Sequence, residues 1–370
     1  MKKLLLIPAI LAVSAPTAQA APELYGKVFV SADYVSAKAD NINNNYNSKE
    51  PSRNLLEVGS HSSRLGFRGS EAITANTDVV YQLEYEVEID EEDEGVAFTS
   101  RDTYLGLKNP AYGEFRFGHN TSVLDYVNNV DVSEGYWDNL GVSRLEQEEE
   151  LKGLNMLDYS RQSNSAVWIA PKYKDLTLAL QYAADEEANK DGYGASLMFD
   201  KGTGFTAGIS YSKDMDVDDS MTVVDSNGTD AVEQTLTYGG DVIRGTATID
   251  LSQFTDYPLK LGAMYQQTDY DFIGSDKEQG LLVSAERDLA NFNKPAAIYV
   301  QYSQTTNLNG LDDNDSNQII LGGKYDFTEN IIAHAYIGQN KADYTHPMDP
   351  TNTVEDIRVF AVGGGLEYLF

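Results

Sequence analysis

Apolar and polar residues alternate with a period of two along most of this chain, and beyond residue 20 no run approaches the eighteen consecutive apolar residues of a membrane helix. Leu24 to Tyr34 sets Val28, Val30, Ala32 and Tyr34 against Tyr25, Lys27, Ser31 and Asp33. Ser62 to Gly69 opposes Leu65 and Phe67 to Arg64, Gly66 and Arg68, and Gly113 to His119 opposes Phe115 and Phe117 to Glu114 and Arg116. Successive side chains of a strand point to opposite faces, so these segments present one greasy and one wet surface. Mean hydropathy alone suggests a soluble protein. A transmembrane barrel, however, keeps a low average while its lipid face is continuously apolar.

The alternation predicts strands over 24–34, 62–69, 77–89, 99–109, 113–119, 156–170, 174–186, 191–201, 204–215, 241–254, 259–271, 279–290, 296–306, 316–328, 331–344 and 355–370, sixteen in all. An even number closes an antiparallel barrel. The connections alternate too: short ones at 109–112, 201–204, 255–258, 291–295 and 329–330 separate long polar ones at 36–61, 122–155, 216–240 and 307–315. Short periplasmic turns and long extracellular loops are the expected arrangement. The last strand puts Phe360, Val362, Leu366, Tyr368 and Phe370 on one face, with Ala361, Gly363, Gly365 and Glu367 on the other. That stripe is expected to meet lipid or a neighbouring subunit.

Met1, Lys2 and Lys3, the apolar stretch Leu4 to Val13 and the small-residue site Ala18-Gln19-Ala20 read as a secretory leader, residues 1–20, preceding a single barrel domain, 21–370. The chain has no cysteine, so disulfides do not staple the fold. Removing Lys2 and Lys3 takes the formal charge from −31 to −33, which excludes a nucleic-acid partner and favours cations. Tyrosine is abundant, 24 residues against two tryptophans, and its amphipathic ring suits strands that end at membrane interfaces.

Several motifs carry a family resemblance. Ser63-Arg64-Leu65-Gly66-Phe67-Arg68-Gly69-Ser70-Glu71, Tyr81-Gln82-Leu83-Glu84, Arg101-Asp102-Thr103-Tyr104-Leu105-Gly106-Leu107-Lys108 and Tyr112-Gly113-Glu114-Phe115-Arg116-Phe117-Gly118-His119 resemble the strand 2 to strand 5 region of Gram-negative general porins. Leu24-Tyr25-Gly26-Lys27 and Leu366-Glu367-Tyr368-Leu369-Phe370 resemble that family's first and last strands. The resemblance implies an all-β, sixteen-stranded, homotrimeric transmembrane barrel in the cell outer membrane. Its third loop folds into a water-filled lumen that passes ions and small hydrophilic solutes. The implied partners include outer-membrane lipid and lipopolysaccharide, and an assembly machinery that reads Tyr368 and Phe370.

The same resemblance places a constriction between loop acids and a basic wall. The loop acids are Asp125, Asp131, Glu134 and Asp138; the wall residues are Lys27, Arg64, Arg68, Arg101 and Arg161. The family's proline-glutamate-phenylalanine-glycine tip is replaced here by Ser133-Glu134-Gly135-Tyr136-Trp137-Asp138. Acids facing guanidiniums across a lumen would create a transverse field that orients dipolar solutes. The acidic runs 84–94, 146–150, 214–219 and 312–315 match no calcium-loop pattern and read as solvated surface acid, so neither a metal nor a cofactor is expected. Four histidines, without HExxH, GxSxG or a phosphate-binding loop, also argue against an enzyme.

Overall fold

The computed structural model describes residues 21–43, 52–87, 89, 98–133, 136–137, 140, 154–184, 191–217, 219–223, 234–272, 274–346 and 349–370. The leader and the loop acids Glu134 and Asp138 lie outside the described residues. The strands are β1 (Glu23–Asn43), β2 (Ser52–Ser60), β3 (Arg64–Ala72), β4 (Asp78–Glu86), β5 (Thr99–Asn109), β6 (Gly113–Thr121), β7 (Arg161–Ile169), β8 (Leu176–Ala183), β9 (Gly192–Asp200) and β10 (Phe205–Lys213). There follow β11 (Asp219–Val223), β12 (Gln234–Tyr238), β13 (Gly240–Asp250), β14 (Leu259–Tyr270), β15 (Glu278–Asp288), β16 (Ala296–Thr306), β17 (Ser316–Thr328), β18 (Ile331–His346) and β19 (Asp349–Leu369).

From β3 onward neighbouring strands pair antiparallel around a closed ring, β10 pairing directly with β13, and β1 pairs with β19 to shut it. Closure removes every edge, which a bilayer demands because it offers no water to unpaired backbone groups. β2 and β3 both pair with β1, through Val30–Lys38 and Glu23–Lys27 respectively. They are one barrel strand interrupted at His61, Ser62 and Ser63, with Ser62 in the left-handed region at φ 50°. Counted so, and setting aside the separate hairpin β11–β12, the described residues form the expected sixteen strands.

Three differences from the sequence reading have local causes. β1, β18 and β19, and β2 with β3 taken as one strand, run past the lengths expected from alternation, and β1 and β19 reach 21 residues each. A transmembrane strand needs only ~10. Most of the presumed loop 36–61 is therefore hairpin. Its alternation is weak because Leu56 and Val58 are apolar on the outside while Val35 and Ala37 are apolar on the inside as well. The third difference is 156–170: only Arg161–Ile169 is strand, and the preceding residues are the returning leg of the third loop.

Outward and inward faces separate cleanly. Val28, Phe67, Leu105, Phe117, Ile209, Ile298, Val300 and Leu321 are exposed on the outside, while Ser31, Gln266, Ser284, Gln301, Gln318 and Asn340 are buried on the inside. In β19, Val362, Leu366, Tyr368 and Phe370 face outward and Ala361 and Glu367 inward, as the alternation predicted. Gly363 and Gly365 are small for a steric reason: a Cβ at either would collide with Asp33, or with Phe29 and Ser31, projecting from β1. The ring closes at Phe370, whose N–H donates to Gly26 O (3.1 Å) while its carbonyl accepts from Gly26 N (2.9 Å).

Candidate functional site

The third connection, 122–160, leaves β6 and turns into the barrel. A backbone crossing a lumen must have its polar groups satisfied. Neutral side chains from successive strands do this along most of its course, and on the returning leg Glu278 Oε1 accepts from Leu157 N (3.0 Å). Ser210 Oγ of β10 donates to Val123 O (2.9 Å), and Asn129 Nδ2 donates to Thr206 Oγ1 (2.6 Å). Ser284 Oγ of β15 donates to Val130 O (2.6 Å), and Val132 N donates to Gln301 Oε1 of β16 (2.9 Å). Gln318 Nε2 of β17 donates to Trp137 O (2.8 Å), and Asn340 of β18 both accepts from Leu154 N (3.2 Å) and donates to Leu154 O (2.8 Å). The described part of the loop is thus bonded along the wall from β10 to β18.

Its tip is anchored by aromatic burial. Trp137 packs with Val130, Met156, Met264 and Leu282. Tyr136 stacks on Tyr336 at 3.7 Å between centroids and meets Phe29 and His61 edge-on at 5.8 and 4.8 Å. Phe29 lies between the imidazoles of His61 (4.9 Å) and His334 (4.6 Å). Each histidine is tied to β1 or β19: His61 Nε2 to Ser31 Oγ (2.6 Å), which also bonds Asp33, and His334 Nε2 to Glu367 Oε2 (3.0 Å). The break after β2 carries His61 into this cluster. Sequence reading weighed the four histidines only against enzyme motifs, since nothing in a linear pattern announces that two of them flank one phenylalanine.

The wall left uncovered belongs to β1 and β3 to β7. Lys27, Arg64 and Arg68 line one concavity of about 380 Å³ together with Tyr25, Gln82 and Glu84. Arg101 adjoins them because the β4–β5 register slips between Leu83 and Tyr85, so that both Arg101 and the even-numbered Tyr104 face inward. Arg161 stands apart at the root of the loop, over the Tyr159 ring (5.7 Å). Most of these cations have a carboxylate in place. Arg101 Nε donates to Glu84 Oε1 (3.1 Å) and its Nη1 to Glu86 Oε2 (2.9 Å), while Arg64 Nε lies 3.9 Å from Glu84. Arg68 bonds Glu23 through two nitrogens (3.0 and 2.6 Å), and Arg116 bonds Glu114 (2.7 Å).

Of the loop acids, Asp131 caps its own turn, accepting from Ser133 N (2.9 Å) and Oγ (2.6 Å). Asp125 is half-buried on a short 3-10 turn. Burial first, then the neighbouring Asp158, pushes its carboxyl up to about 6 against the pull of Arg161. Burial also raises the Asp158 carboxyl, which Arg244 pulls back down. Arg244 is fully buried, bonded to Gln266 (2.8 Å) and near Asp158 (3.5 Å). Glu84, Glu86, Arg116, Asp158 and Arg244 were missed by sequence reasoning. Glu84 and Glu86 sat in an acidic run taken for external loop, although their period-two position opposite Leu83 and Tyr85 marked them as lumenal.

Glu84 is the keystone of the wall, since it also accepts from Tyr25 OH (2.9 Å). Glu84→Gln keeps the shape and uncovers guanidinium charge. One unit charge about 7 Å from a passing ion in water is worth about 0.6 kcal/mol, so the cation-to-anion permeability ratio is expected to fall roughly threefold. Reversal potentials in a KCl gradient measure this; an unchanged ratio would remove Glu84 from the selectivity wall.

A family model described as Gram-negative porin matches residues 8–345. The chain is 27% identical to outer membrane protein S2 of Salmonella typhi over 414 residues, covering 99% of this chain and 98% of that protein. It is 26% identical to the major outer membrane protein P.IB of Neisseria meningitidis serogroup A over 223 residues, 59% of this chain and 62% of that protein. Among solved structures it is similar in fold to an anion-selective porin from Comamonas acidovorans, with a TM-score of 0.67, 18% identity, and 94% and 99% of the two chains covered.

Proposed function

The chain belongs to the Gram-negative porin family, and from that premise we propose that it forms a water-filled, cation-preferring diffusion channel for ions and small hydrophilic solutes, working as a homotrimer. It is an outer-membrane porin with a transmembrane β-barrel. The observation supporting the cation preference is the neutralised wall: Arg101, Arg68 and Arg116 each have a carboxylate in hydrogen-bond contact and Arg244 is paired with Asp158, so these guanidiniums add little net positive charge to the lumen beside Asp102 and Asp125. The formal charge of −31 acts in the same direction. In this proposal Asp125 and the tip acids Glu134 and Asp138 face a wall of Lys27, Arg64, Arg101 and Arg161, with Arg68 nearer the rim.

The remaining parts of the proposal concern biogenesis and surroundings. Residues 1–20 direct export and are removed, Tyr368 and Phe370 are read by the assembly machinery, and the outward apolar band meets lipid, lipopolysaccharide and sister subunits. Purified protein in a planar bilayer tests the channel. Large steps with a cation-signed reversal potential are expected at pH 7.5, and a sealed barrel or an anion sign would sink the reading.

The same measurement has a pH arm. A carboxyl raised to about 6 is charged above that pH and neutral below it. The cation preference is therefore expected to weaken as pH falls from 7.5 to 5, by roughly threefold in permeability ratio if one lumen charge is lost. Asp125→Asn should flatten that dependence; a slope that survives the substitution assigns the titration elsewhere.

A further inference from the structure

The half of the lumen that the loop leaves open carries tyrosines interleaved with arginines. The Arg68 guanidinium stacks over the Tyr25 ring at 4.7 Å, and Arg116 over Tyr104 at 4.5 Å. Tyr104 is within electrostatic reach of both arginines, and Tyr126 of the loop root is within electrostatic reach of Arg116 and Tyr104. All three rings are half-buried, so each keeps surface toward the water. Asp125 precedes Tyr126 in the chain, and Asp102 lies within electrostatic reach of it. One short stretch of wall therefore offers an aromatic face, a guanidinium edge and a carboxylate.

We propose that this strip is a binding step for aromatic zwitterions, solutes that carry a ring, a carboxylate and an ammonium on one small frame. The inference rests on the pore reading and names the solute class that the pore favours. The ring would stack on Tyr104 and Tyr126, since offset aromatic pairs add to simple burial. The carboxylate would meet the Nη edge of Arg116, which bonds Glu114 through Nε alone, whereas the fork of Arg68 is already filled by Glu23. The ammonium would meet Asp125 or Asp102. A net anion of the same size is disfavoured by the acidic lumen, whereas a zwitterion enters at no net charge and still uses both signs.

Single-channel recording at pH 7.5 tests this with three probes: phenylalanine, leucine and 3-phenylpropionate. Phenylalanine is expected to interrupt the open current at concentrations where leucine does not, with 3-phenylpropionate weaker than phenylalanine. Tyr104→Leu should shorten the interruptions roughly three- to tenfold, the factor that one aromatic contact commands, and Tyr104→Phe should preserve them. If Tyr104→Leu fails to insert, Tyr126→Leu takes its place in the same measurement. Equal interruption by leucine overturns the aromatic element, stronger interruption by 3-phenylpropionate overturns the zwitterion in favour of an anion site, and a dwell time indifferent to both tyrosines overturns the location. Steps without any interruption overturn this inference alone; absence of steps overturns the pore reading as well.

Discussion

Tyr136→Ala is expected to yield channels that conduct more and flicker more than the parent, while the barrel itself keeps its thermal stability. The side chain is fully buried between Tyr336, Phe29 and His61. Truncating a buried aromatic ring to alanine costs about 3–5 kcal/mol, and here the loss falls on the seating of the loop tip. The ladder bonds that hold the wall are untouched. Trp137 and the neutral hydrogen bonds still hold the flanking segments, so the freed region is short and the effect is excess noise more than a wide-open pore. Tyr136→Phe retains the stack and should behave as the parent. Identical conductance and noise in the alanine variant would show that the tip is fixed by other contacts.

Deleting Phe370 is expected to cut the yield of heat-modifiable, inserted barrels severely, while those that do insert conduct normally. Two backbone hydrogen bonds to Gly26 close the ring at this residue, and its side chain stacks on Tyr368 at 5.7 Å on the outer face. At about 0.5–1.5 kcal/mol for each hydrogen bond and about 1.5–3 kcal/mol for the apolar ring, the deletion removes several kcal/mol from the seam. Neither group lies on the inner face, which is why the current should not change. Gel mobility before and after heating, alongside single-channel amplitude, separates the two effects. A normal yield would deny Phe370 any role in closure or assembly.

Much of the barrel was legible because a bilayer imposes its demand residue by residue. Leu65 and Phe67 must face out if Arg64 faces in, and the same argument repeated along the chain gave the strands and their even number. What escaped were features decided by neighbours across the sheet. Arg101 could not be oriented from Tyr104 and Leu107 because the register slip that turns it inward belongs to the β4–β5 pair. Ser62 gives no linear sign that it will break a strand and bring His61 beneath Tyr136.

The candidate site was legible to a smaller degree. Lys27, Arg64 and Arg68 do share one concavity. Their partners Glu84 and Glu23 were invisible as partners because the pairing joins residues 20 and 45 positions apart in sequence. The loop's path was legible only by resemblance. Its course is fixed by Ser210, Ser284, Gln301, Gln318 and Asn340, residues whose polar character looked like ordinary lumen wall.

Those five side chains are all uncharged, while the paired arginines of β3, β5 and β6 lie on the opposite arc of the ring; Arg244 and Glu278, which bond the returning leg of the loop, are charged exceptions. For the outgoing leg, bore and wall charge are written in different positions. Charge on the wall of β1 and β3 to β7 can be changed without touching the neutral side chains that seat that leg. A lineage of such barrels can revise what it admits by substitutions on one arc of the wall and keep one inherited aperture throughout.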